Sequence, residues 1–206
     1  MSAYFIAGTG TDIGKTFVSC AFAHAGFRAY KPVVSGFTGE DTDTHRLIAA
    51  MGRGDIDGVS PWRYQAPLSP DMAAAHEGKT VPYDKLLTWS RAKLEERAVF
   101  EGAGGVMVPL DARHTTRDWM EMLGLPVILV AGSYLGSISH TLTALEALRN
   151  MKLQAIILNE SENSTVALEA TRETLSNHTD ALIVMQPRVS SYREAYATHA
   201  LAKELA

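Results

Sequence analysis

Six short apolar runs, AYFIA, RAYKPVV, RAVFEGA, PVILVAG, QAIILNE and ALIVM, recur along the 206-residue chain, with helical spacing between them. Several runs are apolar on both faces, as strands covered by helices on two sides must be. The helical segments are KTFVSCAFAHAG, VPYDKLLTWSRAKLEERA with Pro82 in its first turn, TTRDWMEMLG ending in Gly124, GSISHTLTALEALRNM, NSTVALEATRETLSN and SSYREAYATHALAKELA. Strand alternating with helix over the whole length predicts an α/β fold: a doubly wound, mostly parallel sheet with helices on both faces. Right-handed crossovers then gather the strand ends and their loops at one edge, where ligands bind. The stretch from Gly36 to Pro82 is the least regular. It reads as a substrate-facing insertion within a single domain spanning residues 1–206.

A formal net charge of −4 argues against a chain that finds nucleic acid or an anionic membrane by bulk electrostatics, so small-molecule partners are expected. The single cysteine, Cys20, has no internal partner and sits in a helical pattern, where a small buried thiol is the simplest role. No basic segment leads into an apolar core and a cleavage site, and no apolar run approaches ~20 residues. A cytoplasmic protein is expected.

Chemistry enters with GTGTDIGKT, Gly8 to Thr16, directly after the first strand and leading into a helix. This is the context of a phosphate-binding loop. Glycines let backbone N–H groups approach phosphate oxygens, the helix N-terminus adds positive dipole, Lys15 brings a charge, and the Thr16 hydroxyl suits Mg²⁺. Counted from Gly8 the loop is one residue longer than the usual spacing, which would put its first glycine at Thr9. Phosphoryl transfer also needs a carboxylate near the metal, and RAVFEGAGG supplies Glu101 at a strand end, followed by small residues. In YKPVVSG, Lys31 and Ser35 stand at the end of the second strand and project to the same edge; a second cation there can stabilise a phosphoryl group in transfer. Beyond it, Asp41 and Asp43 both offer carboxylates for Mg²⁺, and Asp43 is equally suited to be the N-cap of a helix over THRLIAAM.

Taken in order, GTGTDIGKT, YKPVVSG, FEGAGG and PVILVAGSYLGSISHTLTALEAL resemble the dethiobiotin synthetases, from the first strand to about Asn159. The resemblance implies a P-loop enzyme that uses ATP and Mg²⁺ to carboxylate 7,8-diaminononanoate with CO₂ and close a ureido ring, giving dethiobiotin, ADP and phosphate. It also implies a homodimer with the active site near the subunit interface. Lys15 and Lys31 would flank the transferring phosphoryl group, with Thr11 and Asp12 beside the phosphates and the reacting amines. Asp12, Ile13, Gly14, Lys15, Thr16 and Phe17 would contact the nucleotide, as would Gly102, Ala103 and Gly104. Thr16, Asp43 and Glu101 would hold Mg²⁺, and Ser35 would meet the diamine or its carbamate. Asn159 would read the adenine edge, with Glu160 and Pro187 in the base pocket. Gly136 and Ser137, opening LGSISH from the neighbouring subunit, would hold the substrate's acid end; His140 belongs to the same segment.

The chain departs from that family's pattern at Gly10, where an aspartate is common, at Asp12, where glutamate is frequent, and at Asp71, where histidine often follows SP. The segment STVALEATRETLSN also lacks the tyrosine that some members use on the substrate carboxylate. Two alternatives share the loop. A cobyrinate-type amidoligase normally adds a glutaminase domain, for which 206 residues leave no room. A partition or targeting ATPase carries a second lysine early in the loop, where this chain has Gly10.

Overall fold

The computed structural model describes residues 2–40, 42–94 and 97–206. Its elements in chain order are β1 (Ala3–Gly8), α1 (Lys15–His24), β2 (Arg28–Tyr30), β3 (Val33–Ser35), α2 (Asp43–Met51), α3 (Ile56–Val59), β4 (Trp62–Tyr64), α4 (Pro70–His76), α5 (Tyr83–Arg91) and β5 (Ala98–Glu101). They continue with α6 (Thr116–Leu123), β6 (Val127–Gly132), α7 (Ser137–Ala147), β7 (Leu153–Asn159), α8 (Leu168–Ser176), β8 (Ile183–Gln186), a 3₁₀ turn at Tyr192–Glu194 and α9 (Tyr196–Glu204). Among the described residues, six strands form one sheet in the order β2-β5-β1-β6-β7-β8, and all of its pairings are parallel. The doubly wound expectation holds.

Side chains alternate between two cores, as the two-residue period of a strand requires. Phe5, Ala7, Phe100, Leu129, Ile156 and Leu158 face a cluster with Leu86, Trp119, Met120 and Leu175 from α5, α6 and α8. Ile6, Val99, Ile128, Val130, Ala155 and Ile157 face the opposite cluster with Val18, Phe22, Leu47 and Leu201 from α1, α2 and α9. Both faces are covered, so the strands carry almost no polar side chains until their C-terminal ends.

Three local expectations change. The run RAYKPVV is two strands: Pro32 has no N–H to give a ladder, and the Lys31 N–H goes to Val59 O at 3.2 Å. After that break β3 leaves the main sheet and pairs in parallel with β4 as a separate ribbon. Lys31 therefore follows β2, whereas Ser35 closes β3. The stretch from Gly36 to Pro82 is also more ordered than its composition suggests, because α2, α3, β4 and α4 occupy it. The N-cap of α2 is Thr42, so Asp43 is the first helical residue and not the cap; Pro82 likewise precedes the first turn of α5.

The helix α6 packs under the strands that carry the site, and its start is fixed by a capping box. Thr115 Oγ1 accepts from Asp118 N at 3.3 Å, and Asp118 Oδ2 accepts from Thr115 N at 2.6 Å. Thr115→Ala should cost about 1 kcal/mol. At this chain length that is a Tm lower by about 2–4 °C in a thermal melt. An unchanged Tm would show the helix end to be held by packing alone.

Candidate active site

The loop after β1 runs to Gly14, which stands before α1 with φ of 92°. A Cβ on Gly14 would lie 2.3 Å from Asn159 Nδ2, so the position needs glycine for both conformation and space. Asp12 also has positive φ, 56°, a conformation aspartate tolerates better than most residues. Lys15 opens the helix and is buried, with Nζ donating to Gly10 O at 2.5 Å. Burial pushes its pKa down to about 8, against the opposing pull of Glu101.

The neighbouring cluster is assembled by strand register. Tyr30 pairs with Phe100 and Ile6 with Glu101, so the residue after β2 and the last residue of β5 meet beside the loop that follows β1. Lys31 Nζ lies 2.9 Å from Glu101 Oε1 and 3.4 Å from Thr16 Oγ1, and it pairs with Asp43 Oδ2. Thr16 Oγ1 donates to Glu101 Oε1 at 2.7 Å. Burial of Lys31 opposes its charge, but Glu101 and Asp43 outweigh that, and the ammonium is held more firmly protonated than a free lysine. Asp43 is raised by burial and lowered more strongly by Lys31, and is held below the ordinary carboxylate range.

This donor set fits a small hard cation. Two carboxylates and a hydroxyl converge, and the buried Glu101 Oε2 has no hydrogen-bond partner among the described residues. Mg²⁺ is ordinarily held by one or two carboxylates and keeps water on its remaining positions. Lys31 Nζ already sits among the same three side chains as a cation. Asp41, the other carboxylate suggested by the sequence, lies outside the described residues.

Two cavities meet at the loop. The larger, about 750 Å³, is lined by Thr11, Asp12, Lys15, Thr16, Lys31, Ser35, Asp43, Glu101, Ala103 and Gly104. Ser35 Oγ is buried there without a partner among the described residues. The smaller, about 260 Å³, is lined by Ile13, Asn159, Glu160 and Pro187, and Asp12, Gly14 and Phe17 border both. Asn159 Nδ2 donates to Ile13 O at 2.9 Å, while its buried Oδ1 has no partner among the described residues. Nearly every residue singled out in the sequence thus converges on one edge of the sheet.

Three do not. Gly102 borders neither cavity and serves packing, since a Cβ there would lie 2.9 Å from Thr116 Cγ2. Gly136 and Ser137 lie at the start of α7 and border neither cavity. His140, one turn later, is exposed and bonded through Nδ1 to Tyr134 Oη at 2.9 Å. Sequence reasoning missed Arg46, Pro67, Leu68, Ser69, Pro70 and Val108 in the larger cavity, and Ser161, Glu162, Gln186, Arg188 and Val189 in the smaller. Arg46 had a usable signal: it stands three residues after Asp43, on the same helical face.

Residues 2–189 match a family model described as an AAA domain. The ATP-dependent dethiobiotin synthetase BioD of Acidiphilium cryptum (strain JF-5) is 44% identical over 200 residues, covering 88% of this chain and 90% of that protein. The protein of the same name from Caulobacter vibrioides (strain NA1000 / CB15N) is 51% identical over 177 residues, covering 78% and 81%.

This chain belongs to the ATP-dependent dethiobiotin synthetase family.

Among solved structures, the cell division ATPase MinD of Pyrococcus furiosus superposes with a TM-score of 0.57 at 15% identity, covering 99% of each chain. HypB of Helicobacter pylori, solved in complex with nickel, gives 0.57 at 16%, covering 100% of this chain and 85% of that one. At such identities the likeness extends to the fold alone. Membership in the synthetase family sets aside both the amidoligase and the switch-ATPase alternatives. Among the described residues no helix is long and apolar enough to cross a membrane.

Proposed function

We propose that this chain is a cyclo-ligase that uses ATP to join CO₂ to the two amines of 7,8-diaminononanoate, releasing dethiobiotin, ADP and phosphate in biotin biosynthesis. Family membership carries the reaction, and one geometric observation carries its place in the molecule. The buried Lys31 ammonium lies among Thr16, Asp43 and Glu101 on the wall of the cavity that Lys15 also lines. Two cations beside one cleft suit a reaction in which negative charge passes from an attacking carbamate oxygen to the departing oxygen of ADP.

In this mechanism one substrate amine takes up CO₂ as a carbamate, and the carbamate oxygen attacks the γ-phosphorus as the bond to ADP breaks. The second amine then closes the ring on the activated carbon, and phosphate leaves. Lys15 and Lys31 hold the phosphoryl oxygens from two sides, and Thr11 and Asp12 orient the nearer amine. Ser35, with its unpartnered Oγ, contacts the diamine or its carbamate. Backbone N–H groups around Gly14 and the start of α1 receive the phosphates, helped by the close approach that Ala103 and Gly104 permit. Thr16, Asp43 and Glu101 would hold Mg²⁺, which when bound neutralises charge on the phosphate oxygens. Asn159 presents an acceptor to an exocyclic amino group on the base, between Glu160 and Pro187. The chemistry asked of the protein is positioning and charge stabilisation.

The working unit is a homodimer in the cytoplasm, its catalytic domain spanning residues 1–206. Gly136 and Ser137 at the start of α7 take the substrate carboxylate of a neighbouring copy, a reading supported by their place outside the lining of both cavities and by the 90% exposed Leu135 beside them. Purified protein given 7,8-diaminononanoate, bicarbonate, Mg²⁺ and ATP should form dethiobiotin and ADP in equal amounts. Absence of diamine-dependent ADP release would overturn the assignment.

A further inference from the structure

The wall of the smaller cavity formed by the end of β8, next to Asn159, is held by buried hydrogen bonds that the reaction does not use. Gln186 closes β8 beside Asn159 in register and is 3% exposed. Its Oε1 accepts from Thr198 Oγ1 at 2.9 Å and from Thr198 N at 3.3 Å, while its Nε2 donates to Pro187 O at 2.7 Å. Thr198 is fully buried in the first turn of α9, so its N–H is one of the donors that the helix leaves without an internal partner. Gln186 supplies the missing acceptor. The Gln186 carbonyl also accepts from Glu160 N at 3.0 Å, tying β8 to the other rim of the cavity. On its far side α9 is anchored by Leu201 and Ala202 in the core shared with Val18 and Phe22 of α1, the helix that starts at Lys15.

Gln186 is thus fully occupied as an acceptor and is not free to read a base, in contrast to Asn159 Oδ1. We propose that Thr198 and Gln186 are a positioning pair for the nucleotide base: through them the C-terminal helix holds Pro187 in place in the cavity wall that Asn159 also lines and sets nucleotide affinity. This rests on the base occupying the smaller cavity. Loss of the Thr198 hydroxyl leaves a buried acceptor with one long contact, and the turn at Pro187 loses the side chain that holds it.

The test compares Thr198→Val, Thr198→Ser and Asn159→Ala in steady-state kinetics with ATP and the diamine varied separately. Thr198→Val should raise the KM for ATP about tenfold, with kcat at saturating ATP within about twofold and the KM for the diamine unchanged. Thr198→Ser, which keeps the hydroxyl, should return the ATP KM to within about twofold of the parent. An unchanged ATP KM in Thr198→Val, failure of serine to restore it, or parallel changes in both KM values would overturn the pairing. If Thr198→Val does not fold, Thr198→Ala is titrated with ATP directly, and an unchanged Kd has the same consequence. Asn159→Ala separates the two levels. A raised ATP KM there with none in Thr198→Val overturns the positioning pair alone, whereas no change in Asn159→Ala removes the base from this cavity and the proposal with it.

Discussion

Lys31→Ala is expected to lower turnover by at least about 10²–10³-fold, while ATP binding stays within a few-fold of the parent. Lys31 Nζ is the cation closest to both Glu101 and Thr16 that does not belong to the phosphate loop, and it has no role in reading the nucleotide base. On the proposed mechanism, its removal would take away a charge that stabilises the phosphoryl group in transfer but leave Gly14, Lys15 and the α1 N-terminus to hold ATP. Glu101 and Asp43 then lose their buried counter-ion, so the free protein should also melt earlier and recover on addition of Mg²⁺. Single-turnover kinetics and ATP titration of the same preparation separate the two effects. Turnover within about tenfold of the parent would remove Lys31 from the mechanism.

Trp119→Ala should be strongly destabilising, costing about 3–5 kcal/mol. The indole is 1% exposed and stands edge-on to Phe5 at 4.7 Å and to Phe100 at 6.5 Å. Its Nε1 donates to Ser90 Oγ at 3.2 Å, which joins α6 to α5 beneath the sheet. Those two phenylalanines belong to β1 and β5, whose C-terminal ends deliver the phosphate loop and Glu101. The loss should therefore appear both as a lower denaturation midpoint and, because a displaced loop and Glu101 bind it less tightly, as a smaller stabilisation by Mg-ATP. Trp119→Phe, which retains most of the volume, should lose less than half as much. An unfolding free energy for the alanine variant within about 1 kcal/mol of the parent would show that this core collapses around the gap.

The alternation of AYFIA was legible because each residue of a strand faces away from the next, and Phe5 and Ile6 do enter opposite cores. The phosphate loop was legible for the same kind of reason, since its glycines, Lys15 and Thr16 are contiguous and their geometry is local. The break in RAYKPVV was misread even though Pro32 was in view, because an apolar run does not reveal which strand it will pair with. The Pro67–Pro70 wall of the larger cavity was missed because its segment has turn-like composition, whereas Arg46 was overlooked although it stands one helical turn from Asp43. Gln186 and Thr198 gave no local signal at all. A glutamine at a strand end and a threonine in a helix are ordinary until the two are buried against each other.

Local period and local chemistry thus determined the order of strands and helices, the doubly wound class, and the presence of a phosphate loop followed by a strand-end acid. Tertiary structure alone decided that Lys31 stands against Glu101, that Asn159 bonds to Ile13 O beside the smaller cavity, and that the last helix reaches back to Gln186. The physical reason is register. Parallel strands far apart in sequence are aligned by the packing of their faces between two layers of helices, and that alignment, which no short-range period encodes, brings distant residues within hydrogen-bonding distance.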